Sequence, residues 1–333
     1  MLVPQRMKYS LRERINLNIL NEKFFIRSLE DLYGGKIECL MPHHTIKSAF
    51  IMVINNNSYL IHLNCFSEFD VNRLGLERSF LDFCNKKFGW PKCLISSNGR
   101  LLNEIEINNG IYIVTGEEFI KNCRAVNGFD DIRIMIGHLS SYLSKKNDFL
   151  FGVDVDNDFE LNIDFVKSVS LPLIIEECKG REEVNNVIGR LIDYIDQNLT
   201  SSSLEVCHGD MHSGNILIGH KQNAFYVDTE FCSVAPKGYD IATVIWDVYM
   251  KLGIEKALIV FRMFKDTEAS IIVNNLIPFL PALIIFRHLW WLGLRVVCKS
   301  DGGVPNARFI EEQLNAADKI RKQGNSLMQF FHY

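Results

Sequence analysis

Hydrophobic and polar positions change their period along the chain. Leu11, Ile15, Leu17, Ile19, Leu20, Phe24, Phe25, Leu29 and Leu32 recur among polar residues until Gly34-Gly35, a helical pattern stopped by glycine. Residues 49–54 (AFIMVI) and 59–63 (YLIHL) are apolar runs flanking Asn55-Asn56-Asn57, which predicts a β-hairpin. Over 71–88 the apolar residues return to helical spacing (Leu74, Leu76, Phe80, Leu81, Phe83, Cys84) and stop near Gly89-Trp90-Pro91. Short strands are expected at 93–95, 101–107 and 111–114, with Asn98-Gly99 and Asn109-Gly110 as turns. After Gly116 the pattern favours helices at 132–143, 184–199, 239–252, 254–264, 271–297 and 306–329, interrupted by one island at 204–231. The chain therefore reads as a small β-rich lobe, 1–116, followed by a larger, mostly helical lobe, 117–333.

Composition narrows this picture without identifying a function. The 333 residues are 47% hydrophobic and 23% charged, with only 8 prolines, which excludes a disordered or collagen-like chain. With 36 Lys and Arg against 40 Asp and Glu there is no basic excess for a nucleic-acid backbone, so no nucleic-acid partner is expected. Nine cysteines without a C-x-x-C pair resemble neither a disulfide framework nor a zinc cluster and favour a reducing, cytoplasmic setting. The run 276–294, LIPFLPALIIFRHLWWLGL, is long enough to raise a membrane question. Pro278 and Pro281 break its front end and Arg287 and His288 lie inside it, so it is expected to be a core helix rather than a membrane span.

The island carries the chemistry. Residues 207–218, CHGDMHSGNILI, and 225–231, FYVDTEF, flank a polar turn at 220–223 and form a second predicted hairpin. Asp210 and Asn215 precede it and Asp228 ends it, so three oxygen-bearing side chains can converge, as magnesium prefers. Phosphoryl transfer requires such a set: an Asp for the hydroxyl proton, with Asn and Asp oxygens holding Mg²⁺ on the nucleotide phosphates. The step from Asp210 to Asn215 equals that of H-R-D-x-x-x-x-N, and Asp228 falls where the Asp of D-F-G would. His208, Asp210 and His212 also suit a transition metal, but no further ligand stands at a fixed spacing. His212 reads as a supporting loop histidine that hydrogen-bonds backbone. Asp228 and Glu230, taken alone, would be ordinary strand-end polar residues.

His208-Gly209-Asp210-x-His212-x-x-Asn215 followed by Asp228-x-Glu230 resembles the aminoglycoside phosphotransferase and choline kinase group. Asp240, in Gly-Tyr-Asp-Ile-Ala, stands where that group has an Asp heading the next helix. The resemblance implies an α+β, bilobal protein-kinase-like fold, ATP and Mg²⁺ as cofactors, and a hydroxyl-bearing small molecule as partner. It further implies Asp210 as catalytic base, Asn215 and Asp228 as magnesium ligands and His208 as a loop organiser.

The N-terminal lobe departs from that group. The lysine expected on the strand after the first hairpin aligns with His62, and Glu77 on the following helix is the candidate partner. Histidine, with an ordinary pKa of about 6.5, grips phosphate weakly at neutral pH unless a neighbouring carboxylate supports its charge. Lys47 is the alternative cation. The turn at 41–47, MPHHTIK, lacks glycines that would let backbone N–H groups approach phosphates. The expected function is ATP-dependent phosphorylation of an antibiotic, amino alcohol or sugar. The alternative is a kinase-like nucleotide-binding or regulatory protein with altered catalysis.

Overall fold

A computed structural model describes residues 23–43, 49–65, 71–107, 110–146, 148–149, 161, 163–199, 202–298 and 305–332. Compact units divide the described residues: those up to Arg124 with Phe225–Glu230, and Ala125–Ala224 with those from Phe231 onward. The architecture is the expected α+β one, a β-sheet N-terminal region and a helical C-terminal region.

The first unit is built on an antiparallel sheet of order β1-β2-β3-β5-β4, from β1 (Ile37–Pro42), β2 (Ala49–Ile54), β3 (Asn57–Cys65), β4 (Asn103–Ile107) and β5 (Gly110–Glu118). The β2–β3 hairpin turns as its asparagines predict: Asn55 and Asn56 have φ of 50° and 63°, the left-handed pair that matches strand twist. Alternation along β3 then assigns its two faces. Ile61 and Leu63 join Phe50, Met52 and Val114 in a core capped by Phe25 and Leu29 of α1 (Lys23–Tyr33). His62 and Asn64 point the other way, opposite Thr115 and Ile113 of β5. That second face is covered by α2 (Val71–Phe88), whose Leu74 packs on Ile113.

The sheet differs from the expectation in two places. Residues 93–95 form no strand, only a single bridge from Cys93 to Glu117, beyond the stretch of β5 that β4 pairs with. Strand β1 was not anticipated; its sequence IECLMP does not alternate and its burial is irregular.

The second unit is helical except around the island. Its helices are α3 (Phe129–Lys145), α4 (Leu171–Glu177) after a π-helical turn at Val166–Ser170, α5 (Glu182–Leu199), α6 (Tyr239–Leu252), α7 (Ile254–Lys265), α8 (Ser270–Leu276), α9 (Leu280–Cys298) and α10 (Ala307–His332). The continuous helix expected over 271–297 is two helices, α8 and α9, bent by 83°. Pro278 lies in the break, and Pro281 is tolerated in the first turn of α9, where its missing N–H costs nothing. Among the described residues no single helix is long and apolar enough to cross a membrane, though the bent pair α8 and α9 passes by length and composition. Helix α9 packs against α4, α5, α6 and α10. At Gly293 it approaches the π-helical turn so closely that a Cβ would stand 2.5 Å from the Cβ of Ser170.

After the short strand β6 (Cys123–Ala125), β7 (Leu204–Cys207) of the island pairs antiparallel with β10 (Ser233–Pro236). Between them lie β8 (Ile216–Gly219) and β9 (Ala224–Tyr226), joined by a tight turn in which the Gly219 N–H donates to the Asn223 carbonyl at 2.9 Å. The described cysteines Cys39, Cys84, Cys93, Cys123, Cys178, Cys207 and Cys232 are free thiols.

Candidate active site

The loop between β7 and β8 carries His208, Asp210, His212 and Asn215, and its shape is imposed from the start of α6. Asp240, fully buried, accepts the N–H groups of His208 at 3.0 Å and Gly209 at 3.1 Å. The Tyr142 hydroxyl donates to the same carboxylate at 2.9 Å, and the Lys146 ammonium lies 3.2 Å from it and 2.9 Å from Glu205. Burial alone would raise the Asp240 pKa; Lys146, His208 and the two N–H groups outweigh it and hold the carboxyl below its ordinary value. Gly209 sits at φ +84°, and a Cβ there would lie 2.0 Å from the Phe231 carbonyl oxygen.

Within the loop, Asn215 donates its amide N–H to the Asp210 carboxylate at 3.1 Å and to the Asp210 carbonyl at 3.0 Å. The Asn215 amide oxygen is thereby turned away from Asp210. His212 accepts the Gly214 N–H on Nδ1 at 3.0 Å, so Nε2 carries the proton and points at Asp210 Oδ2, 3.4 Å away. This bears on the expectation of a loop histidine bonded to backbone. The N–H of Ser213 is held by Asp247 at 3.0 Å, and Asp247 pairs with Lys251 at 2.8 Å.

A further partner of Asp210 was not anticipated. Arg287 of α9 donates Nη2–H to Asp210 Oδ1 in a short ion pair. Burial works to raise the Asp210 pKa, but Arg287, His212 and His208 together hold the carboxyl well below the usual carboxylate range. Lys146, paired with Asp240, was equally unseen. A signal for Arg287 did exist: a single guanidinium in an apolar run must find a buried anion.

Asp228, which belongs to the first unit, follows β9 with φ of +64°, a left-handed conformation that Asp tolerates better than most residues and that marks functional turns. The turn Thr229–Phe231 follows it. Arg73 of α2, 3% exposed, donates to the Glu230 carbonyl at 2.6 Å, anchoring this segment within its unit. His62 is buried on β3. Glu77 is buried on α2 and engaged by Arg78, which also binds Glu117 at 2.6 Å. Lys47 lies outside the described residues. Asn215 and Asp228 each offer a side-chain oxygen, the donor type that magnesium takes, and no group of three or more His, Cys, Asp or Glu that could hold a metal stands among the described residues.

Residues 171–270, which contain this whole loop, match the sequence model of the phosphotransferase enzyme family. No curated protein matches the chain. Among solved structures, the amicoumacin kinase hAmiN in complex with AMP-PNP, Ca²⁺ and Ami is similar with a TM-score of 0.66 and 14% identity, covering 96% of each chain. A microcompartment-associated aminopropanol kinase has a TM-score of 0.61 and 11% identity, covering 95% of this chain and 98% of its own. The choline kinase LicA from Streptococcus pneumoniae has 0.54 and 14%, covering 91% and 97%. The fold is theirs, and the resemblance to the aminoglycoside phosphotransferase and choline kinase group is borne out.

Proposed function

We propose that this chain, a protein-kinase-like fold with a phosphotransferase-family match across its catalytic loop, transfers the γ-phosphoryl group of ATP to a hydroxyl of a small molecule with magnesium as cofactor. The observation that carries this is the Asn215 amide on the Asp210 carboxylate, inside a loop that Asp240 holds by two backbone N–H groups. A buried carboxylate so fixed is oriented for a single task.

Asp210 orients the acceptor hydroxyl and takes its proton. Its lowered pKa makes it a weak base, which suits a loose transition state in which positioning matters more than early deprotonation. Asn215 Oδ1 and the Asp228 carboxylate would hold magnesium, which supplies charge neutralisation on the phosphate oxygens. Asp240 and Lys146 act through the loop, as does His208, while His212 steadies Asp210. His62, with Glu77 of α2 as its candidate partner, or Lys47, would supply the phosphate contact in the first unit. The nine-cysteine composition fits a cytoplasmic enzyme.

ADP formation with acceptor candidates tests the reading. Asp210→Asn should lower turnover by about a thousandfold or more while ATP still binds, and Asp228→Ala should remove magnesium-dependent ATP binding. Unchanged turnover in Asp210→Asn with a confirmed acceptor would overturn it. The altered-catalysis reading requires wild-type protein to bind ATP without transferring its γ-phosphoryl group to any acceptor.

A further inference from the structure

Every N–H of the tight turn Ser213–Asn215 has a partner. The Gly214 N–H goes to His212 Nδ1 and the Asn215 N–H to the His212 carbonyl, each at 3.0 Å, so both bonds stay inside the loop. The Ser213 N–H leaves it, donating to Oδ2 of Asp247 on α6 at 3.0 Å. Lys251, one turn further along that helix, closes a ring: its ammonium lies 2.8 Å from Asp247 Oδ1 and donates to Ser213 Oγ at 2.6 Å.

Asp247 stands two helical turns after Asp240, about 10 Å along the same face of α6. Asp240 takes the N–H groups of His208 and Gly209 at the start of the loop, and Asp247 takes that of Ser213. One helix thus holds the loop at two points, with Asp210 between them and Asn215 just beyond the second. A carboxylate only 6% exposed is costly unless both its oxygens are used, and in Asp247 both are. Ser213, Asp247 and Lys251 also border a cavity of about 180 Å³, with Ile132, Met135 and Val248 on its walls. Beside such a void the turn is placed by its hydrogen bonds rather than by wedged side chains.

We propose that Asp247 is a positioning residue for Asn215: by holding the Ser213 N–H it fixes the turn from which Asn215 reaches Asp210, and so fixes where Asn215 Oδ1 stands. Lys251 keeps the Asp247 carboxylate aimed at the turn. This rests on the phosphotransferase reading, in which Asn215 Oδ1 is a magnesium ligand. Without Asp247 the turn is free to shift, the Asn215 amide loses its 3.1 Å bond to Asp210, and its oxygen is no longer held for the metal.

Calorimetry of AMP-PNP binding to the full chain, in Mg²⁺ and in EDTA, reads this without turnover. Asp247→Ala should weaken binding in Mg²⁺ by about tenfold, the scale of one charged hydrogen bond, and leave binding in EDTA unchanged. Asp247→Asn keeps an oxygen for the Ser213 N–H and should stay within about threefold of wild type. Gly180→Ala, at a strained glycine outside the loop, lowers stability and should leave both affinities alone, which separates positioning from loss of fold. Unchanged affinity in Mg²⁺ for Asp247→Ala, or equal losses with and without metal, would sink the inference. If Asp247→Ala does not fold, Lys251→Met decides: its side chain is 53% exposed, a loss of about threefold in Mg²⁺ alone is expected, and no loss overturns the inference. Wild-type binding that is absent, or equal in Mg²⁺ and EDTA, overturns the phosphotransferase reading and this inference with it.

Discussion

Asp240 and Gly209 meet at 3.1 Å, carboxylate to backbone N–H, at the point where a Cβ on Gly209 would collide with the Phe231 carbonyl. The carboxylate, the glycine and the β10 end together leave the loop one path. The acidity of Asp240 therefore serves loop geometry and not a ligand.

Replacing Asp240 with Ala leaves Lys146 with only Glu205 and strips the acceptor from two buried N–H groups. Loss of about 3–5 kcal/mol is expected, read as a lowered urea midpoint, because one partner of a buried ion pair is removed. Asp240→Asn should cost less, since the amide oxygen can keep one of the N–H groups.

Gly209→Ala combines left-handed strain with a backbone clash, and should cost at least about 3 kcal/mol or prevent folding. Gly180→Ala is the control: φ is +83° but no atom lies within 4 Å of the added Cβ, so only about 1–2 kcal/mol is expected. Equal thermal shifts for the two variants would contradict the close approach of Gly209 to Phe231.

His288, fully buried on α9, accepts the Trp246 indole N–H on Nδ1 and meets the Gln313 carbonyl through Nε2, each at 3.0 Å. Burial, reinforced by Arg287, lowers its pKa to about 4 despite the Gln313 carbonyl. The unfolded chain binds a proton near pH 6.5 that the folded chain refuses, so stability is full above that pH and falls as pH drops toward 4. The loss attributable to His288 should approach roughly 3 kcal/mol. Denaturation midpoints at pH 7 and 4.5 should differ less in His288→Gln than in the wild-type chain. Asp210 and Asp240, with lowered pKa values, add their losses below that window.

Arg73→Met removes the 2.6 Å bond to the Glu230 carbonyl while keeping apolar volume on α2. If the segment from Asp228 holds magnesium, nucleotide affinity should fall about tenfold, the scale of one charged hydrogen bond, and more in magnesium than in EDTA. Calorimetry with AMP-PNP reads this directly; identical losses with and without metal would show that Arg73 supports only the fold.

Much of the local structure was legible in advance. The bounds of α2 and α6 follow from apolar spacing and flanking glycine, the Asn55-Asn56 turn from its left-handed preference, and the resemblance to the phosphotransferase group from the spacing of Asp210, Asn215 and Asp228. These are properties of neighbours along the chain, where period, capping and turn preference act. Less visible were the π-helical turn at Val166–Ser170 and the break between α8 and α9, both settled by packing on the rest of the unit.

The ion pairs lie beyond any local pattern. Arg287 finds Asp210 across 77 positions and Lys146 finds Asp240 across 94. In the sequence Asp240 stands far from the lysine that balances it, while Asp247 precedes Lys251 by four positions. In the fold both are already neutralised, and a guanidinium stands beside Asp210. The amino-acid sequence determined which groups are present and which short segments display them. Only the tertiary structure decided which charges cancel, because burial makes an unpaired charge too costly to keep and forces each to the partner that packing brings within reach.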